Sequence, residues 1–200
     1  APKVRRYTHL FFCKKRMNCL GCISRILAAS VNPKSPSVRC KLSKAIAFGF
    51  NSLNEELIFP PYNPIQIDAV KELTLNIFQR YPDIMPTYIV GHSDIAIGRK
   101  SDPEAAFPWK ELYMAGIGAW YDDEPKNHYQ EQFSKNFPSQ KKVLSKLKCY
   151  GYDISSVCIE TGYKDLIRAF QLHFRQENYN GILDVEIAAI LYILIDKYFP

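Results

Sequence analysis

Apolar and polar positions follow no sustained helical or strand period over residues 1–48; from Gly49 onward they fall into readable blocks. The sharpest block spans 63–81. Asn63 can cap a helix, Pro64 suits its first position and Gln66 completes a capping box. Val70, Leu73, Ile77 and Phe78 then recur at helical spacing, one stripe facing a core, and the helix should end near Tyr81, before Pro82. Before it, Phe59-Pro60-Pro61-Tyr62 reads as an extended entry. After it, Thr87-Tyr88-Ile89-Val90 is β-branched and aromatic, a short buried strand that Gly91-His92 ends.

Residues 93–108 then form a long loop punctuated by Gly98, Pro103 and Pro108, and a loop of that length without its own period is uncommon unless functional. A short helix is expected at 109–114 and a tight packed turn at Gly116-Ile117-Gly118-Ala119-Trp120. The polar stretch 121–139 reads as a linker. Three helical patterns follow: 140–150 with Val143, Leu144 and Leu147, stopped by Gly151; 164–174 with Leu166, Ile167, Phe170 and Phe174; and 185–198, opened by Asp184 as N-cap. Three helices in so short a span predict a small bundle forming a separate domain. The longest apolar-rich run, 187–195, is half what a membrane span needs.

Charge changes the picture by its distribution. The chain carries a net charge of +6, yet residues 1–48 hold eleven of the 26 Lys and Arg and none of the 20 Asp and Glu, so a basic front precedes a mildly acidic body. A basic front can bind nucleic acid or acidic lipid, but no nucleic-acid-binding fold is recognisable behind it, and nucleic acid is not expected as a partner. Cysteine is equally lopsided, with Cys13, Cys19, Cys22 and Cys40 in the front and Cys149 and Cys158 in the body. Cys19 and Cys22 have half-knuckle spacing, but Cys13 and Cys40 do not form a matching second pair. The stretch around 23–29 is a poor secretory signal, because Ser24 and Arg25 interrupt it. Residues 1–48 are left unassigned.

The chemistry lies in the loop. His92 and Asp102 are ten residues apart, and an imidazole and a carboxylate on one loop can converge on zinc, which accepts both and keeps an open position in catalytic sites. Lys100 could reach a developing oxyanion. On physics alone the bland readings stand beside these: a histidine at a strand end is more often a satisfied core or surface residue, and Arg99-Lys100 more often a solvated pair.

The run Ile89-Val90-Gly91-His92-Ser93-Asp94-Ile95-Ala96, then Gly98-Arg99-Lys100, Asp102-Pro103 and Phe107-Pro108-Trp109, resembles the second-ligand loop of AmpD-type N-acetylmuramoyl-L-alanine amidases. The resemblance implies His92 and Asp102 as zinc ligands and Lys100 as the residue that stabilises the tetrahedral intermediate. Gly116-Ile117-Gly118-Ala119-Trp120, Tyr150-Gly151-Tyr152, Ala169-Phe170-Gln171, His173-Phe174-Arg175 and Tyr179-Asn180-Gly181 are similar to the AmiD branch, which adds a helical peptidoglycan-binding domain. The implied fold is α+β: part of a mixed-sheet zinc amidase core followed by a three-helix bundle. The implied domains are 1–48 unassigned, 49–120 the C-terminal part of the amidase, 121–139 linker and 140–200 peptidoglycan-binding. The implied reaction is hydrolysis of the amide between the lactyl group of N-acetylmuramic acid and L-alanine. Its partner would be peptidoglycan or a muropeptide, in the periplasm or envelope of a Gram-negative bacterium, or in the cytoplasm for a recycling enzyme. An inactive remnant that only binds peptidoglycan is the alternative.

Three departures qualify this. The family's first ligand sits in a His-aromatic-Thr context on an early strand; His9, in Tyr7-Thr8-His9-Leu10, does not follow that order and is only a weak candidate for third ligand. Where the family carries its general-base glutamate this chain has Lys44-Ala45-Ile46-Ala47-Phe48, and no acid precedes Glu55. Glu104-Ala105-Ala106 stands where the family prefers Gly-Pro, a change expected to loosen Asp102. A core lacking its first strands should leave 49–120 poorly folded beside an independently stable bundle.

Overall fold

The computed structural model describes residues 61–158 and 161–200, together with strand residues 11–12, 52–53 and 56–57. Strand β1 (Phe11–Phe12) pairs antiparallel with β4 (Ile89–Val90), Phe11 opposite Val90 and Phe12 opposite Ile89. Strands β2 (Ser52–Leu53) and β3 (Glu56–Leu57) form a second antiparallel pair. These are the two ladders among the described residues, so the architecture there is α+β with little sheet. The front-segment residues given possible roles, His9, Cys13, Cys19, Cys22 and Cys40, lie outside the described residues.

Helix α1 (Pro64–Arg80) forms as its local signals require. The Asn63 side chain accepts from the Ile65 N–H at 2.9 Å, and the Gln66 side chain accepts from the Asn63 N–H at 2.9 Å. Its buried face carries Ile67, Thr74 and Ile77. A single 3-10 turn (Pro86–Tyr88) leads into β4, and the polypeptide then turns at Gly91 into a four-residue helix α2 (His92–Ile95). His92 thus begins a helical turn rather than a loop. Helix α3 (Trp109–Met114) follows, burying Trp109 and Leu112.

The segment 121–139 is not an irregular linker. Helix α4 (Asp123–Lys135) occupies most of it and packs along α7 (Val185–Tyr198), with Phe133 buried against Ala188 and Ala189. Pro125 is accommodated because it lies in the first turn of α4, where backbone N–H groups have no helical acceptor. The three other C-terminal helices form where the pattern placed them: α5 (Gln140–Tyr150), α6 (Gly162–Phe174) and α7. Gly151 ends α5 with φ of 120°, a conformation that L side chains rarely adopt.

The core crosses the boundary drawn from the sequence. One cluster of buried apolar residues joins Ile67, Ile77, Ile89, Leu112, Ile117 and Trp120 from the front to Leu147, Leu166, Phe170, Phe174, Ile190 and Leu194 from the helices behind. Polar ties reinforce the junction: the Tyr198 hydroxyl accepts from the Trp120 N–H and donates to its carbonyl, each at 3.2 Å.

Candidate active site

The site is assembled on the segment from Gly91 to Pro103. His92 Nδ1 and Asp102 Oδ2 stand within hydrogen-bonding distance of one another, both partly buried. Two backbone links bring them together. The Ser93 N–H donates to the Asp102 carbonyl at 2.9 Å, and Gly91 lies so close to Pro103 that a Cβ there would fall 2.4 Å from the proline Cδ. The Asp102–Pro103 peptide is cis. From the far side the Tyr62 hydroxyl donates to the Pro103 carbonyl at 2.7 Å. Asp102 is therefore tied on both flanks, despite the substitution expected to loosen it. That substitution has a backbone signature: Glu104 has φ of 75°, where glycine is favoured. Its carboxyl is held above the usual carboxylate range by burial first and by the Asp102 charge second.

Lys100 is exposed. It lines an open groove of about 220 Å³ with Gly98, Asp165, Arg168 and Tyr179, between the loop and α6.

Behind the pair lies a buried polar cluster that the sequence reading did not single out. Asp94, on the same helical turn as His92, is 4% exposed. Its carboxylate accepts from the Gly91 N–H at 2.7 Å and from the Tyr152 hydroxyl at 2.6 Å; its other neighbour is His173 Nδ1 at 2.8 Å. Asp94 raises the Tyr152 phenol well above its ordinary value, after burial as the larger cause. The His173 ring is stacked between Trp109 (3.8 Å, 15°) and Phe174 (4.1 Å, 12°). Asp94, Tyr152 and His173 all fell within the runs that carried the family resemblance. Nothing in their spacing linked them, since 58 and 79 residues separate the partners.

An imidazole and a carboxylate facing each other in a semi-enclosed site are the donor types that zinc takes. They fit two corners of such a site. A catalytic zinc needs a third protein ligand, and no group of three His, Cys, Asp or Glu that could hold a metal occurs among the described residues.

Comparison with known proteins shows what the chain is similar to. Residues 48–105 match the Amidase_2 family, described as N-acetylmuramoyl-L-alanine amidase. The chain is 40% identical over 141 residues to N-acetylmuramoyl-L-alanine amidase AmiD of Escherichia coli, covering 70% of this chain and 51% of that protein. The crystal structure of AmpDH3 from Pseudomonas aeruginosa in complex with anhydromuramic pentapeptide superposes with a TM-score of 0.71 at 51% identity, covering 74% of this chain and 59% of that one. The complex of E. coli AmiD with the substrate anhydro-N-acetylmuramic acid-L-Ala-D-gamma-Glu-L-Lys gives 0.68 at 38% identity, covering 75% and 58%. The chain is thus similar to the AmpD/AmiD-type amidases, as the loop motif implied. It spans about half the length of the AmiD it matches.

Proposed function

We propose that the chain serves zinc-dependent hydrolysis of the amide between the lactyl group of N-acetylmuramic acid and L-alanine, in peptidoglycan or in soluble muropeptides. The observation that carries this reading is the meeting of His92 and Asp102 on a loop tied from both sides, in a chain related to amidases. His92 and Asp102 would hold the metal. Bound zinc polarises a substrate carbonyl and lowers the pKa of its water. The exposed Lys100 ammonium would meet the negative charge that develops on the carbonyl oxygen. The helices from 140 to 200 would contribute contacts to the glycan or stem peptide. A wall substrate would place the protein in the cell envelope of a Gram-negative bacterium, and a soluble one would suit the cytoplasm.

One observation favours a second reading, an inactive relative that only binds peptidoglycan: Lys44-Ala45-Ile46-Ala47-Phe48 stands where the resembling family carries its general-base glutamate. Metal analysis and turnover separate the two. The active reading expects about one zinc per chain, as one catalytic site requires, lost on His92→Ala. It also expects release of peptide from an N-acetylmuramoyl-peptide. With Lys100→Ala zinc should stay and turnover fall on the order of 100-fold or more, the usual loss of an oxyanion donor. Retention on purified sacculi without zinc or turnover would establish the inactive reading.

A further inference from the structure

We infer that the C-terminal helices position the metal loop, through Asp94 held by Tyr152 and His173. This rests on the zinc reading above, and assigns to the helical part a role separate from binding the wall.

Three hydrogen-bonding groups converge on the Asp94 carboxylate from three directions. The Gly91 N–H comes from the residue before His92, the Tyr152 hydroxyl from just beyond α5 and the His173 imidazole from the last turn of α6. A carboxylate that accepts fixes the imidazole tautomer, so Nδ1 of His173 carries the proton. The ring cannot swing away, because Trp109 and Phe174 stack on it. The clamp acts on the short turn α2, whose first residue is His92 and whose Ser93 N–H holds the Asp102 carbonyl. Both ligand positions therefore depend on how one four-residue turn is seated. So short a helix has almost no intrinsic stability, so its seating comes from outside it. The Gly91 N–H bond caps the turn locally, whereas the Tyr152 and His173 bonds join it to the helices behind in one buried network. A network that orients ligands should be felt by the metal.

The test compares zinc affinity, by competition with a chelator, in the full chain and four variants. Tyr152→Phe and His173→Leu each remove one donor to Asp94. His173→Asn keeps an N–H near the place of Nδ1. Tyr198→Phe breaks the Trp120 contact at the same junction without touching Asp94. The expected result is zinc binding weakened about tenfold in Tyr152→Phe and His173→Leu, the usual effect of removing a partner behind the ligands. His173→Asn should recover most of it, and Tyr198→Phe should bind as the unmodified chain does. Unchanged affinity in the first two, or an equal loss in Tyr198→Phe, overturns the inference. If the unmodified chain holds no zinc, the zinc reading fails by itself, and amide exchange then decides the clamp. The Ser93 and Ala96 amides, bonded to Asp102 and His92 carbonyls, should exchange about tenfold faster in Tyr152→Phe and His173→Leu than in Tyr198→Phe. Equal rates in all three overturn it.

Discussion

Glu104 holds a left-handed backbone angle of 75° with its carboxyl half-buried beside Asp102. An L-residue in that region costs roughly 1–2 kcal/mol, whereas glycine's extra freedom in the unfolded chain costs about 0.5–1 kcal/mol. The steric term outweighs the entropic one, and relief of the buried charge adds to it. Glu104→Gly should therefore raise stability by about 1 kcal/mol, read as a higher urea midpoint at unchanged slope; a lower midpoint would refute it. Gly91 behaves oppositely. An alanine Cβ there would meet the Pro103 ring at 2.4 Å and the Asp102 carbonyl at 3.3 Å, and neither can rotate aside. Gly91→Ala should cost about 1–3 kcal/mol, as overpacking does, and, on the proposed zinc reading, should weaken metal binding by parting His92 from Asp102. Denaturation and metal titration of the same sample check both halves of that statement.

Among the elements, α1 and α7 are capped by side chains of different consequence. Asn63 is exposed and bonds one amide, so Asn63→Ala should cost about 1 kcal/mol. Asp184 bonds the Ile187 N–H and also receives Arg175 Nη1 at 2.6 Å, and Arg175 is only 6% exposed. Asp184→Ala removes the cap and leaves the guanidinium to Glu186 at 3.3 Å and the Asn178 carbonyl at 3.2 Å, without its closest charge partner, so it should cost clearly more, about 2 kcal/mol. Equal losses in chemical denaturation would show that the Arg175 pair contributes nothing. These caps also explain what was legible. In α1 cap, proline, capping box and apolar stripe all point one way within seventeen residues. Helix α4 offers no such agreement. It is polar along most of its length, its buried face is little more than Tyr129 and Phe133, and Pro125 resembles a break. Its helicity comes from packing on α7, which no local pattern records. The His92–Asp102 pair was legible because only ten residues separate the two, whereas the Asp94 cluster spans 79 residues and needed the fold to reveal it.

For the whole molecule, the shared core decides how the parts stand or fall. The expectation from the sequence was a bundle stable without residues 49–120. Yet Leu112, Ile117 and Trp120 pack in one cluster with Phe170, Phe174 and Leu194, so separating the parts would expose apolar surface on both. A fragment of residues 140–200 should accordingly unfold at a lower urea midpoint than the full chain, and Leu112 and Leu166 amides should show comparable exchange protection. A fragment as stable as the parent would show two independent units.

The stacking of Trp109 on His173, and of Trp120 against Tyr121 with Phe174 nearby, gives the molecule a built-in optical gauge. These are the chain's two tryptophans, and both lie at the seam between the His92–Asp102 loop and the helices behind it. Opening that seam would wet both indoles together and shift their emission to the red, while a loop motion that leaves the seam shut would be dark. Intrinsic fluorescence, without a label, therefore reports on whether the helices are still seated behind His92.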